Sequence, residues 1–150
     1  MFPNIDFKVF YNTYPLFTDT NNLSLVTFIH CDNFVIVFPG DLEKSGWQEL
    51  LKNVSFRINL EKVNIFVASH HGRESGYYES VFKYCKPELV IISDKEIVHE
   101  TQKQLYQRHA QGFPANNART LRYVLTTRSD GMITISKMIG YKTHIQTEKH

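Results

Sequence analysis

The stretch Phe34–Asp41 (FVIVFPGD) decides the fold class, because an uninterrupted apolar run ends there in proline, glycine and an acidic residue. The same arrangement recurs at Val63–Gly72 (VNIFVASHHG), where an apolar run ends in Ser-His-His-Gly. A buried strand that ends in Asp or His delivers that side chain to the carboxyl edge of a sheet, where α/β proteins assemble their sites. Together the two stretches predict one half of a metal site.

Strand and helix patterns alternate on either side of these two stretches. The predicted strands are 7–11, 23–29, 34–38, 63–68 and 89–92, the predicted helices are 43–52, 77–84 and 100–110, and a hairpin is predicted from 121–126 and 132–137 around residues 129–131. Pro87 ends the second helix, since a helix cannot continue through proline. Strands that alternate with helices indicate an α/β domain.

Three of the predicted strands, 34–38, 63–68 and 89–92, are apolar at nearly every position. Such strands are covered on both faces and lie centrally in a sheet. The predicted helices suffice for one face only. We therefore expect a second sheet to cover the other face, supplied by another chain or by another copy of this one.

Composition limits the chain to a single domain over 1–150, because 150 residues that are 42% hydrophobic allow one real core. The net charge of +2 neither demands nor excludes a phosphate-rich partner. The amino terminus lacks a signal-peptide pattern, and no apolar run approaches the roughly 18 residues of a membrane span. A cytoplasmic protein with no membrane partner is expected, with Cys31 and Cys85 as buried free thiols.

Asp41, His70 and His71 are the candidate metal ligands. Imidazole suits zinc, and a carboxylate can bridge two ions and orient the water between them. Gly40 and Gly72 stand beside these ligands and permit the sharp turns that strand-end ligands need. Two plainer interpretations stay open: Asp41 caps the following helix, and the two histidines form a polar turn or a structural pair.

The ordered series of short motifs carries a family resemblance. It consists of Asn22–Val26 (NLSLV), Phe38–Glu43 (FPGDLE), Ser69–Gly72 (SHHG), Lys86-Pro87, Ile91–Ser93 (IIS) and Thr127–Ile135 (TRSDGMITI). This series resembles the carboxy-terminal half of the metallo-β-lactamase fold, in the branch typified by the soluble domain of ComEC-type competence proteins. The resemblance implies half of an αββα sandwich, a mixed sheet with helices on one face.

The same resemblance implies roles for individual residues. Asp41 would be the catalytic ligand that bridges two zinc ions, with manganese as the alternative metal, and His71 would bind one of them. His70 would be a neighbouring or alternative ligand. Arg73 stands where the family usually has serine and would bind substrate phosphate, unless it is a solvated surface residue. His99 would face the site, although Glu100 replaces the proline of the family's His-Pro pair, and a loop histidine is the alternative.

The family's primary metal motif, HxHxDH, is absent from the chain, and the remaining histidines are scattered at His30, His109, His144 and His150. The resemblance therefore implies a fragment or subunit of a metal-dependent hydrolase, acting on phosphodiesters of nucleic acid or nucleotides. An amino-terminal-half polypeptide or a homodimer would have to complete it.

Two other functions remain open. The chain could be a non-catalytic half-domain that serves as a protein-interaction module. It could also be a metal-free nucleic-acid-binding module, which requires a contiguous basic face. Arg119, Arg122 and Arg128 lie close together around Tyr123, but such a group is also typical of a solvated strand surface.

Overall fold

A computed structural model describes residues 4–95 and 100–149, and its main feature is a mixed six-stranded sheet in the order β1-β2-β3-β4-β5-β6. The strands are β1 (Ile5–Phe10), β2 (Val26–Cys31), β3 (Phe34–Phe38), β4 (Ile65–Val67), β5 (Leu89–Ile92) and β6 (Val124–Thr126). β1, β2 and β3 are antiparallel neighbours, and β3 to β6 are parallel. The predicted α/β class is confirmed.

The first three helices cover one face of this sheet, which we call the helical face. The helices are α1 (Lys44–Leu50), α2 (Val54–Glu61), α3 (Lys103–Gln107) and α4 (Thr127–Asp130), with 3₁₀ turns at Ser69–Gly72, Glu74–Gly76, Glu79–Lys83 and Ala115–Asn117. Trp47, Phe56 and Tyr106 from the first three helices pack with Phe66 of β4 in one buried cluster. The predicted helix over 77–84 forms only the 3₁₀ turn at Glu79–Lys83.

The opposite face of the sheet is covered over β4 to β6 by this chain itself. β7 (Ile133–Ser136) and β8 (His144–Thr147) form an antiparallel hairpin, and Ile145 is buried with Ile65, Leu89 and Leu125. We call this the hairpin face. The expectation that another chain must supply the whole second cover is therefore wrong for this half of the sheet.

The predicted hairpin between 121–126 and 132–137 is also wrong, because α4 separates the two segments. The Thr126 hydroxyl accepts a hydrogen bond from the Ser129 amide at 3.1 Å, and Asp130 accepts one from the Thr126 amide at 2.8 Å. These two bonds close a helical turn directly after β6. β6 consequently pairs with β5, and the following strand pairs with β8.

Over β1 to β3, the hairpin face carries large apolar side chains that are open to solvent. The exposed fractions are 56% for Ile5, 58% for Phe7, 46% for Val9, 60% for Leu25 and 41% for Phe38. Several large apolar side chains together on one face are unusual for a solvated surface. We call this set the open apolar face.

Cys31 and Cys85 are both free, as predicted. Cys85 is buried as expected, but the expectation of a buried Cys31 is wrong, because Cys31 is half-buried near the end of β2. None of the helices in the described ranges combines the length and the apolar character needed to cross a membrane.

Candidate functional site

Asp41 lies just beyond the end of β3, at the carboxyl edge of the sheet. Gly40 makes the turn with φ +63°, and a Cβ at this position would lie 3.1 Å from the Ser24 side chain. The Asp41 amide donates to Ser24 Oγ at 3.2 Å, and 47% of its carboxylate side chain is exposed. The N-cap residue of α1 is Glu43, so the interpretation of Asp41 as the helix cap is wrong.

The turn after β4 carries His71 to the same edge. His70 (φ 48°), His71 (φ 55°) and Gly72 (φ 74°) follow one another in the left-handed region, which non-glycine residues adopt at a cost. Ser69, fully buried, donates its hydroxyl to the Leu42 carbonyl, and the His70 amide donates to Gly40 at 3.0 Å. These bonds tie the turn after β4 to the turn after β3 and hold the strained backbone.

The His71 ring is oriented by a backbone carbonyl at the end of β5. Its Nδ1 lies 2.8 Å from the Ser93 carbonyl oxygen, and because a carbonyl can only accept, Nδ1 carries the proton. In the neutral ring Nε2 then has a free lone pair, and it lies 3.7 Å from Oδ1 of Asp41. Metal-binding histidines commonly show this arrangement, in which one ring nitrogen faces the metal and the other donates a hydrogen bond to a protein group.

Asp41 and His71 border a pocket of about 190 Å³, whose other lining residues are Phe38, Pro39, Gly40, Val67, Ala68 and Ser93. A tetrahedral zinc with bonds of roughly 2.0–2.2 Å separates its ligand atoms by about 3.4 Å. The observed 3.7 Å between Nε2 and Oδ1 is close to that separation. The pair fits two ligands of one divalent ion without rearrangement of the backbone.

His70 lies in a separate network behind this pocket. Its Nδ1 is 3.1 Å from Oε1 of Glu43 and 3.0 Å from Oγ of Ser75, and its Nε2 is 3.3 Å from Nη1 of Arg73. Only 14% of the side chain is exposed. Both ring nitrogens therefore have protein partners, and His70 braces the strained turn.

The two predicted substrate-binding residues differ in what can be said of them. Arg73 is half-buried beside His70 through the contact at 3.3 Å, which turns at least one of its guanidinium nitrogens towards that ring. His99 lies outside the described residues.

A clamp on Asp94, which the sequence analysis missed, fixes the segment that orients His71. Thr127 Oγ1 accepts from the Asp94 amide at 2.9 Å and donates to the Asp94 carbonyl at 2.7 Å. Arg128 Nε lies 3.1 Å from the Asp94 carboxylate, which is 6% exposed. The only signal in the sequence is the polar Ser-Asp pair after the apolar run of β5. That pair does not reveal that the backbone carbonyl of Ser93 is the group that bonds His71.

The described residues contain no group of three or more His, Cys, Asp or Glu side chains placed to hold a metal ion. Asp41 and His71 thus stand as a pair, whereas a stable divalent-metal centre of this type takes at least three protein ligands.

The predicted arginine group has structural partners. Arg122 lies 2.8 Å from the buried carboxylate of Asp130, and Arg128 pairs with Asp94. Two of the three arginines are thereby neutralised by carboxylates of this chain, which weakens the interpretation as a phosphate-binding face.

The fold and the site define a mixed α/β protein with an Asp-His pair at the carboxyl ends of parallel strands. No protein-family model matches the chain. It is 35% identical over 95 residues to ComE operon protein 3 of Bacillus subtilis (strain 168), an alignment that covers 60% of this chain. That alignment spans only 12% of the longer Bacillus protein.

Proposed function

We propose that this chain supplies one side of a hydrolytic divalent-metal site, with Asp41 and His71 as ligands. The observation that carries the proposal is the geometry of His71. Its Nδ1 donates to the Ser93 carbonyl oxygen, 2.8 Å away, and its Nε2 lies 3.7 Å from Asp41 Oδ1. The strained turn that presents His71 supports the same view, because such strain clusters at functional sites.

A second polypeptide completes the site in this proposal. The ligand pair is incomplete within the described residues, and Phe38, whose strand leads into Asp41, belongs to the open apolar face. A polypeptide that packs a sheet on this face would reach the same edge and could bring the missing ligands. The resemblance to the metallo-β-lactamase fold supports a partner that carries HxHxDH, and two zinc ions or manganese as the metals.

The substrate class rests on the ComEC-type resemblance, which favours phosphodiesters of nucleic acid or nucleotides. A divalent metal, once bound, supplies Lewis acidity and lowers the pKa of coordinated water. The residues of this chain contribute orientation: Asp41 offers a carboxylate that half faces solvent, and Ser93 keeps the His71 lone pair directed at the pocket.

Calorimetric titration of the purified chain with zinc tests the ligand assignment. We expect weak binding, and we expect Asp41→Ala and His71→Ala each to weaken the zinc affinity about tenfold or more, because each removes one of two direct ligands. His144→Ala, at an exposed histidine of β8, is the matched control and should bind as the wild type does. Unchanged zinc affinity in both site variants would refute the assignment.

A second candidate function is a non-catalytic interaction module, favoured by the open apolar face together with the incomplete ligand pair. The two functions differ in one experiment: the chain is mixed with a polypeptide that carries HxHxDH, and phosphodiester hydrolysis is measured with zinc or manganese. Hydrolysis that depends on Asp41 supports the first function. A complex that forms without hydrolysis under either metal supports the second.

A further inference from the structure

β1 forms one edge of the six-stranded sheet, because its only strand neighbour within residues 4–95 and 100–149 is β2. Its main-chain groups on the outer side are therefore free to pair with another strand, which is the usual liability of an edge. β1 has six residues in regular register with β2 and contains no proline. It is long and regular enough to accept a further strand.

The side chains of β1 alternate between two classes. Ile5, Phe7 and Val9 belong to the open apolar face, with exposed fractions between 46% and 58%. Asp6 and Lys8 point to the helical side, where they form an exposed ion pair at 2.9 Å. The segment Ile5–Val9 thus has Phe7 at its centre, opposite charges on either side of it, and an aliphatic residue at each end.

This order is self-complementary under a two-fold axis. When two copies of an antiparallel strand pair about one residue, positions equally distant from that residue on either side lie opposite each other. With Phe7 at the centre, Asp6 lies opposite the partner's Lys8, and Ile5 lies opposite the partner's Val9. Within Ile5–Val9 each cross-strand pair is then either apolar with apolar or acidic with basic, the combinations that stabilise sheets.

We propose that β1 pairs antiparallel with β1 of a second copy in the register centred on Phe7, which joins two sheets into one continuous sheet. The neighbouring registers are disfavoured. A centre on Asp6 places two carboxylates opposite each other, and a centre on Lys8 places two ammonium groups opposite each other, both of which destabilise a strand pair. If one strand instead slides by a single residue relative to the other, the apolar side chains of the two strands point to opposite faces of the sheet.

Edge pairing is compatible with the proposed function but does not depend on it. The new strand contacts lie in the plane of the sheet, so the open apolar face stays accessible to a covering polypeptide. Across the two-fold axis each apolar side chain of β1 gains an apolar neighbour from the partner. Failure of either proposal leaves the other standing, since metal binding and self-association are measured separately.

A charge exchange tests the register. The mass of the full chain is measured by sedimentation over a range of concentrations, with circular dichroism to confirm folding. We expect a species of twice 17.6 kDa in the wild type. Asp6→Lys and Lys8→Asp should each raise the dimer dissociation constant about tenfold or more, because each creates two like-charged cross-strand pairs. The double variant D6K/K8D should restore it to within about threefold of the wild type.

Site-directed disulfides give a second, independent measurement. In the Cys31→Ser background, Phe7→Cys places two thiols directly opposite each other on the axis, at about 4.5–5.5 Å between Cβ atoms. Val9→Cys instead faces the partner's Ile5. Mild oxidation should therefore link Phe7→Cys into a covalent dimer at least fivefold faster than Val9→Cys. This comparison holds even if a charge variant is unstable.

Several results would overturn the proposal. They are a wild-type chain that stays monomeric at several hundred micromolar, a dimer that the single charge variants do not weaken, and equal oxidation of the two cysteine variants. A dimer that resists Asp6→Lys but is lost in Leu25→Asp would show that two copies associate through the open apolar face and not through the β1 edge.

Discussion

The Ser93 carbonyl oxygen accepts a hydrogen bond from Nδ1 of His71 at 2.8 Å. This bond joins the ends of two neighbouring parallel strands, because Ser93 follows β5 and the His71 turn follows β4. It fixes which ring nitrogen carries the proton and thereby keeps Nε2 free to face Asp41. In the proposed metal site, the affinity of the pair would consequently depend on a backbone group that no metal touches.

Thr127→Val should weaken metal binding although Thr127 is not a ligand. The change removes the hydroxyl that bonds both the amide and the carbonyl of Asp94, so the adjoining Ser93 carbonyl loses its fixed position. We expect a loss of about 1–2 kcal/mol in the free energy of unfolding and a loss of about tenfold in zinc affinity. Urea denaturation and calorimetric titration measure the two effects.

Thr134→Val is the matched control for this change, because Thr134 is exposed on β7. It should alter neither quantity appreciably. If Thr127→Val destabilises the fold but leaves zinc affinity at the wild-type value, the clamp on Asp94 has no part in the orientation of His71.

Gly72→Ala should destabilise the chain more than Gly140→Ala. The two glycines have nearly equal backbone angles, with φ +74° and φ +73°, so both changes carry a similar left-handed strain, of about 1 kcal/mol. They differ in space: a Cβ on Gly72 would lie 2.9 Å from Ile92 Cγ2, whereas Gly140 has nothing within 4 Å.

Overlap with a buried isoleucine adds about 1–3 kcal/mol to the loss at Gly72. Chemical denaturation gives the loss in unfolding free energy for each variant, and the difference between the two losses is the cost of the overlap with Ile92, separate from the backbone strain. Equal losses at the two glycines would mean that Ile92 moves aside freely and that the His71 turn is less constrained than its contacts indicate.

The convergence of Asp41 and His71 was predictable from sequence, for a simple reason. Each residue follows an apolar run, and the carboxyl ends of adjacent parallel strands meet at one edge. The burial of Trp47 was predictable in the same way, from helical spacing of apolar residues, and it is 1% exposed. These inferences depend on local periodicity alone.

Other features depend on contacts that periodicity does not encode. Helix α2 was missed because its apolar residues alternate at every second position, at Val54, Phe56, Ile58 and Leu60, which is not helical spacing. Asn53 nevertheless accepts a capping bond from the Phe56 amide at 3.2 Å. The hairpin around residues 129–131 was predicted wrongly because Asp130 bonds back to Thr126 and closes a helical turn. The same helical turn lets β7 pair with β8 and cover part of the hairpin face. This cover was therefore not predictable from the sequence pattern either.

The open apolar face gives a prediction about stability. Phe38 is 41% exposed and its neighbour Val37 is fully buried, on opposite faces of one strand. Phe38→Ser should therefore cost less than about 1 kcal/mol in the free energy of unfolding, while Val37→Ser should cost about 2 kcal/mol or more. Phe38→Ser should also reduce the fluorescence of a bound hydrophobic dye such as ANS.

Denaturation and dye titration of the two variants check this pair of expectations. A large loss of stability in Phe38→Ser, comparable to that of Val37→Ser, would contradict the view that this part of the sheet is open to solvent in the isolated chain.

His109 should make the stability of the chain depend on pH in a predictable direction. Its ring stacks on Phe82 with centroids 4.1 Å apart, and Tyr77 Oη lies 2.7 Å from Nε2. Burial lowers the pKa of His109, the nearby Arg108 lowers it further, and Glu79 opposes both. The folded state therefore binds fewer protons than the unfolded state at mildly acidic pH.

The contribution of His109 to stability is fully present above the unfolded histidine pKa of about 6.5 and is lost as pH falls through the lower folded pKa. His109→Phe keeps an aromatic ring against Phe82 but cannot take up a proton. Between pH 7 and pH 5 its unfolding free energy should fall less than that of the wild type, whereas His144→Gln, at an exposed site, should follow the wild type. Parallel curves for His109→Phe and the wild type would show that the ring is protonated without cost in the folded chain. The stacked, half-buried histidine would then have no part in the acid sensitivity of this fold.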